Sequence, residues 1–187
     1  MTDQTFWYLA RSAGLTAYVL LWLNVMLGLA VRSNYLAPLL ARWRTFDLHQ
    51  FTALLALGFV GLHVVALLGD HYIGFTVAQL VVPFRSTYRP FWTGIGVLAT
   101  YLVVAITGSF YVRRWIGQRT WRLLHYTSFG AFWLVLLHGL GAGSDSGALW
   151  GALLYWVTGA IAVAMLIWRI TTPGQARPAA ARYPTAR

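Results

Sequence analysis

The chain has 187 residues, of which 59% are hydrophobic and only 10% are charged. A soluble domain carries roughly 25% charged residues, so the composition excludes an ordinary soluble enzyme and indicates a membrane protein. Cysteine is absent, which excludes disulfides, thiolate catalysis, cysteine-bound iron–sulfur clusters and covalently attached c-type haem. The net charge is +10, and all 14 residues counted as positively charged are arginines. Because these arginines are spread over short segments between apolar stretches, they favour membrane lipid over nucleic acid as a partner.

Five apolar segments are long enough to cross a bilayer, since a span needs roughly 20 mostly apolar residues. They cover residues 12–31, 46–68, 91–112, 121–141 and 148–169. The first lacks the basic region and cleavage site of a signal peptide, so we expect a retained helix. The sequence therefore predicts an all-α integral membrane bundle over residues 1–171, in which the shorter segments 35–44 and 74–84 do not span. Residues 172–187, rich in Pro, Ala and Arg, predict a disordered tail.

Arginine is distributed unevenly between the two ends of these spans. Eleven arginines fall where odd-numbered spans end and even-numbered spans begin, against three at the opposite end, Arg11, Arg85 and Arg89. Cytoplasmic loops carry the excess of arginine in membrane proteins. We therefore expect a multi-pass protein of the plasma (inner) membrane, with its N-terminus outside and its C-terminal tail in the cytoplasm.

Four histidines stand in the second and fourth predicted spans, in two pairs of nearly equal spacing. His49 and His63 are 14 residues apart, and His125 and His138 are 13 apart. Ionisable side chains inside a bilayer are costly and usually mark function, and neutral imidazole is well suited to hold haem iron. Because spans two and four run in the same direction, His49 and His125 share an inner level. His63 and His138 share an outer level about 20 Å away.

These two levels predict two stacked, non-covalently held b-type haems, an inner one on His49 and His125 and an outer one on His63 and His138. Axial ligation by two histidines suits electron transfer rather than oxygen binding at the iron. The alternative is that the histidines only form hydrogen bonds between helices. A pair repeated at matched levels on a second helix makes that the weaker interpretation. The fifth histidine, His71, lies in an outer loop, and we expect it to be solvated or interfacial.

The spacing between the two histidines of one span predicts whether they share a face of the helix. Fourteen residues fall within about 40° of four helical turns, so His49 and His63 share a face. Thirteen residues fall about 140° short of four turns. Span four must therefore be overwound between His125 and His138, or present its two histidines at different rotations. Gly130 is a candidate position for such a distortion.

Haem propionates need cationic or hydrogen-bonding partners when they leave water. Arg11, at the outer start of the first span, is the candidate for the outer haem, and its alternative role is an end residue that reaches to the interface. Arg122, three residues before His125, is the candidate for the inner haem, but Arg119 could serve equally well. Several glycines would allow either close approach of a macrocycle or ordinary helix packing; they are Gly58, Gly61, Gly130 and Gly139.

The paired histidines make the chain resemble the ferric reductase-like transmembrane family. This family includes NADPH oxidases, ferric reductases and the haem-bearing membrane subunit of the periplasmic methionine sulfoxide reductase system. The resemblance rests on the His-x13-His and His-x12-His spacings and on the Trp-x-x-Leu-His segment at 121–125. The arginine-bearing segment 10–34 and the segment 89–110 are similar to the family's first and third core helices. The resemblance covers roughly residues 10–170.

The resemblance implies a membrane oxidoreductase component that moves electrons across the membrane and places Arg11 near haem propionates. The donor would be a cytoplasmic flavoprotein, a reduced flavin or a quinol, and the acceptor ferric iron, oxygen or a periplasmic redox partner. Because the sequence ends in a short tail where oxidases and ferric reductases continue into a flavin and nicotinamide domain, we expect a separate reductase partner. Two other functions stay open: an accessory cytochrome b subunit of a larger redox complex, and a haem-free scaffold or transporter.

Overall fold

The computed structural model of the protein describes residues 3–33 and 42–171, which form seven helices. They are α1 (Asp3–Ser33), α2 (Arg42–Gly69), α3 (Val77–Val81), α4 (Pro90–Ile116), α5 (Gln118–Tyr126), α6 (Ser128–Ala142) and α7 (Leu149–Thr171). The predicted disordered tail at 172–187 and most of the segment 35–44 lie outside the described residues.

Five stretches of the described chain are long and apolar enough to cross a membrane, in agreement with the sequence. α5 and α6 together make up the fourth of these stretches. Large apolar side chains point outward, with Val65 64%, Trp156 70% and Ile170 74% exposed. Such a surface is consistent with an integral membrane protein, because a bilayer provides an apolar environment for it. α3, with five residues, is too short to span, as predicted for 74–84.

α1 begins earlier than the first predicted span. The sequence TFWYLA at 5–10 continues the apolar stretch without a helix breaker, so the helix extends back to Asp3. Arg11 therefore lies about two turns inside α1 rather than at its start, which corrects the position predicted from sequence.

The bundle is built from two antiparallel helix pairs. α1 packs along α2, α4 packs along α6, and α7 lies against α1 and α6. α2 and α6 run parallel and approach each other much less closely than either approaches the helix behind it. The histidine side chains of α2, α5 and α6 lie in the resulting space between the two pairs.

The fourth span is not one continuous helix. Its two parts meet at Thr127, whose backbone N–H donates to the Leu124 carbonyl at 3.1 Å. The Thr127 hydroxyl donates to the same carbonyl at 2.6 Å. A hydrogen bond to the third preceding residue winds the chain more tightly than an α-helix does. Local overwinding between His125 and His138, one of the two possibilities that the sequence leaves open, thus occurs at Thr127, three residues before Gly130.

A buried aromatic cluster joins α1 to α6 and α7. The Tyr18 ring centroid lies 6.2 Å from that of Phe132 and 4.9 Å from that of Tyr155. The Tyr18 hydroxyl is hydrogen-bonded to the Thr158 hydroxyl, and the Trp22 indole N–H donates to the Thr158 carbonyl at 3.1 Å. Close packing and interhelical hydrogen bonds hold helices together in lipid, so this cluster anchors α7 to the bundle.

Packing rather than the hydroxyl is expected to dominate the contribution of Tyr18. Tyr18→Ala should lower the free energy of unfolding by about 3–5 kcal/mol, the usual cost of deleting a buried aromatic ring. Tyr18→Phe should cost only about 0.6 kcal/mol, typical of one hydrogen bond between membrane helices. Equilibrium unfolding in mixed micelles measures both values. Equal losses in the two variants would contradict the assignment.

Candidate functional site

Two pairs of imidazole rings lie across the space between α2 and the α5–α6 span. The ring centroids of His49 and His125 are 6.0 Å apart, with their planes at 75°. Those of His63 and His138 are 6.4 Å apart, with their planes at 78°. The structure therefore brings the four histidines together in the two pairs that their spacing predicts, at two levels of one bundle.

Both separations suit a metal atom between the rings. A bond from a metal to an imidazole nitrogen is about 2 Å long, and the ring centre lies about 1 Å behind that nitrogen, so two opposed ligands place their centroids about 6 Å apart. Within 3–33 and 42–171, no three His, Cys, Asp or Glu side chains group in a way that could hold a metal. Each pair therefore offers two ligands, and a cofactor would have to supply the others.

Three of the four histidines are oriented by a backbone carbonyl of the neighbouring helix. Nδ1 of His49 donates to the Asn24 carbonyl at 3.0 Å, and Nδ1 of His63 donates to the Ala10 carbonyl at 2.7 Å. Nδ1 of His138 donates to the Trp92 carbonyl at 2.8 Å. A carbonyl only accepts, so Nδ1 carries the hydrogen in each ring. Nε2 then keeps the lone pair that a metal requires.

His125 is positioned in a different way. Its ring stacks on that of Trp121, one turn earlier in α5, with centroids 5.3 Å apart and planes at 25°. The Trp121 indole N–H is buried and has no hydrogen-bond partner among the described residues. α5 starts directly after α4 because Gly117 adopts a φ of 82°, which favours glycine. This turn brings Trp121 and His125 to the level of His49.

The glycines suggested by the sequence do not contact the histidines. A Cβ atom placed on Gly58, Gly61 or Gly130 meets no atom within 4 Å, and one on Gly139 meets the Tyr155 ring. Other glycines, on α1 and α4, lie directly against histidine rings: Gly14 against His63, Gly28 against His49 and Gly96 against His138. The sequence interpretation missed these three.

A large cavity adjoins the His63 and His138 level. It has a volume of about 210 Å³ and is lined mainly by apolar side chains of α1, α2, α4 and α6. Two carboxylates stand in its wall, Asp70 and Asp145. Asp70 is only 2% exposed and accepts a hydrogen bond from the Tyr72 backbone N–H at 3.1 Å. His71, beside it, is exposed, as expected.

Arg11 also lines this cavity, but its charge is matched by a protein carboxylate. Its Nε–H donates to Asp145 Oδ2 at 2.6 Å, and its Nη2 donates to Oδ1 of the same group. Binding of a haem propionate by Arg11 stays a prediction, and such a propionate would share the guanidinium with Asp145. Arg119 and Arg122 are both exposed on α5, near His125.

A family model, that of the ferric reductase like transmembrane component, matches residues 13–137, more than half of the 187-residue chain. The chain belongs to the ferric reductase-like transmembrane family. The family resemblance inferred from the paired histidines is thus confirmed. The match includes His49, His63 and His125 and ends one residue before His138. No curated protein and no solved structure matches the chain.

The pair of Arg11 and Asp145 is expected to stabilise this member of the ferric reductase-like family. Asp145→Asn should lower the free energy of unfolding by about 1–3 kcal/mol, because the half-buried guanidinium loses a charged acceptor. The same substitution at Asp47, which is exposed on α2, should change it by less than about 0.5 kcal/mol. Unfolding curves in detergent measure both variants. A loss of unfolding free energy in Asp145→Asn no larger than that in Asp47→Asn would contradict a stabilising role for the pair.

Proposed function

We propose that this protein carries electrons across a membrane through two b-type haems. His49 and His125 would hold one haem, and His63 and His138 the other. The observation that carries the proposal is the repeated pair of rings, at a separation that fits one metal atom, on two levels of a bundle from the ferric reductase-like family.

The residues present fit such a cofactor. Three rings keep the Nε2 lone pair because Nδ1 is bonded to a carbonyl, and a cavity adjoins the rings of His63 and His138. A bound haem supplies one-electron chemistry at its iron. With two histidines to hold each iron, such haems would serve electron transfer rather than oxygen binding.

We propose an arginine as propionate partner at each level. Arg11 would serve the haem of His63 and His138, at the cavity that it lines. Arg122, with Arg119 as the alternative, would serve the other haem. The buried Trp121 indole N–H is a further donor at that level, and an acceptor on a bound ligand would satisfy it.

The distribution of charge favours one direction of insertion. By their positions in the described helices, the arginines at the His49 end of the bundle are Arg32, Arg42, Arg44, Arg113, Arg114, Arg119, Arg122 and Arg169. We propose that this end faces the cytoplasm and that the N-terminus lies outside a plasma membrane. Electrons from a flavoprotein, a reduced flavin or a quinol would then enter at His49 and His125. They would leave from His63 and His138 to ferric iron, oxygen or a periplasmic redox partner.

Haem content tests the proposal. The purified protein should contain two haems per chain, by pyridine haemochrome assay, and show a b-type reduced-minus-oxidised spectrum. His63→Ala should lose the haem of one level and His49→Ala that of the other, because each removes one of two axial ligands. His71→Ala is the matched control and should keep both haems, since His71 is exposed in a loop. Two haems retained in His63→Ala or His49→Ala would refute the ligand assignment.

Labelling tests the orientation. The chain contains no cysteine, so single cysteines can be placed at will. Cysteine at the exposed Tyr72, near the His63 end, should react with a membrane-impermeant maleimide in right-side-out vesicles. Cysteine at the exposed Thr120, at the other end, should react only after permeabilisation. The opposite pattern would reverse the proposed direction of electron flow.

A further inference from the structure

We infer that Gly14, Gly28 and Gly96 are positioning residues for three of the proposed haem ligands. Each lies on a helix behind α2 or α6. Each leaves an opening, here called a glycine notch, at the place that the Cβ atom of any other residue would occupy. A histidine ring lies in each notch, against the backbone of the neighbouring helix. The inference rests on the proposed function, because it concerns the orientation of rings that would bind haem.

In all three notches the glycine stands four residues after the carbonyl that accepts from the histidine. The pairs of acceptor and glycine are Ala10 and Gly14, Asn24 and Gly28, and Trp92 and Gly96. In an α-helix a carbonyl points toward the residue four positions later, whose Cβ tilts back toward the N-terminus. A side chain at that position therefore covers the carbonyl. Glycine leaves it accessible to a ring from the next helix.

The fit of each ring in its notch can be ranked. A Cβ on Gly96 would lie 2.5 Å from Nδ1 of His138, and one on Gly14 would lie 2.9 Å from Nδ1 of His63. A Cβ on Gly28 would lie 3.2 Å from Cε1 of His49. The His138 ring must therefore move furthest on substitution, and the His49 ring least.

General helix packing does not explain this pattern. Glycine in membrane helices usually lets two backbones approach, but the nearest atoms here belong to imidazole rings in all three cases. Not every glycine on these helices lies against a side chain of another helix. A Cβ on Gly108, on the same helix as Gly96, meets nothing within 4 Å. Gly108 therefore provides a matched control.

The hydrogen bond that a notch permits has a chemical consequence. It fixes the hydrogen on Nδ1, so that Nε2 keeps its lone pair, and it raises the basicity of the ligand. Loss of such a partner typically weakens metal binding by about 10- to 100-fold. A less basic axial ligand also stabilises the ferric state less, so the midpoint potential of that haem should rise.

Alanine substitutions at the three notches, compared with Gly108→Ala, test the inference. Haem per chain and the two midpoint potentials are measured by redox titration of purified protein, without donor or acceptor. Gly96→Ala and Gly14→Ala should weaken or shift the haem that His63→Ala removes. Gly28→Ala should act, more mildly, on the haem that His49→Ala removes. Gly108→Ala should leave both haems as in the wild type.

The outcomes separate this inference from the proposed function. If the wild type holds two haems and folded Gly14→Ala and Gly28→Ala variants keep both potentials, the notches have no positioning role. The same holds if all four alanine variants shift both haems alike, because a purely structural effect would not select one level. If Gly96→Ala does not fold, the milder Gly14 and Gly28 variants decide. A wild type without haem would overturn both the proposed function and the inference.

Discussion

The arrangement of the helices depends on the hydrogen bonds that a histidine ring makes inside an apolar bundle. Each ring has two nitrogens, and a polar group left without a partner in such surroundings is costly. Three of the four rings bond Nδ1 to a carbonyl of the helix behind them. This determines that α1 must lie close behind α2, and α4 close behind α6. It also leaves the Nε2 lone pair of these three rings unused by the hydrogen bonds.

Much of this architecture could be predicted from the sequence. Five spans follow from the length of the apolar segments, and the parallel course of the second and fourth spans follows from counting them. With spacings of 14 and 13 residues, His49 then meets His125, and His63 meets His138. Because 13 residues do not complete four turns, the sequence leaves two possibilities for the fourth span, of which a local overwinding is one. Its position at Thr127 depends on local hydrogen bonds that a count of residues does not include.

Other features depend on contacts between distant parts of the chain. The pairing of Arg11 with Asp145 joins residues 134 positions apart, and hydropathy carries no signal for it. The glycine notches lie on α1 and α4, whereas the sequence interpretation considered glycines only on the histidine-bearing helices. One signal was present: Gly14 and Gly28 are 14 residues apart, the same spacing as His49 and His63. Two antiparallel helices that contact at two levels require such equal spacings.

We propose above all that each ring pair holds one metal atom through two imidazole nitrogens. The electron paramagnetic resonance spectrum of the oxidised protein tests it most directly, because it reports the axial ligands of ferric haem. The expected result is two low-spin signals, each with one spin per chain, from two haems with two histidines each. A high-spin signal from an open axial position, a single low-spin species, or no haem signal at all would contradict the claim.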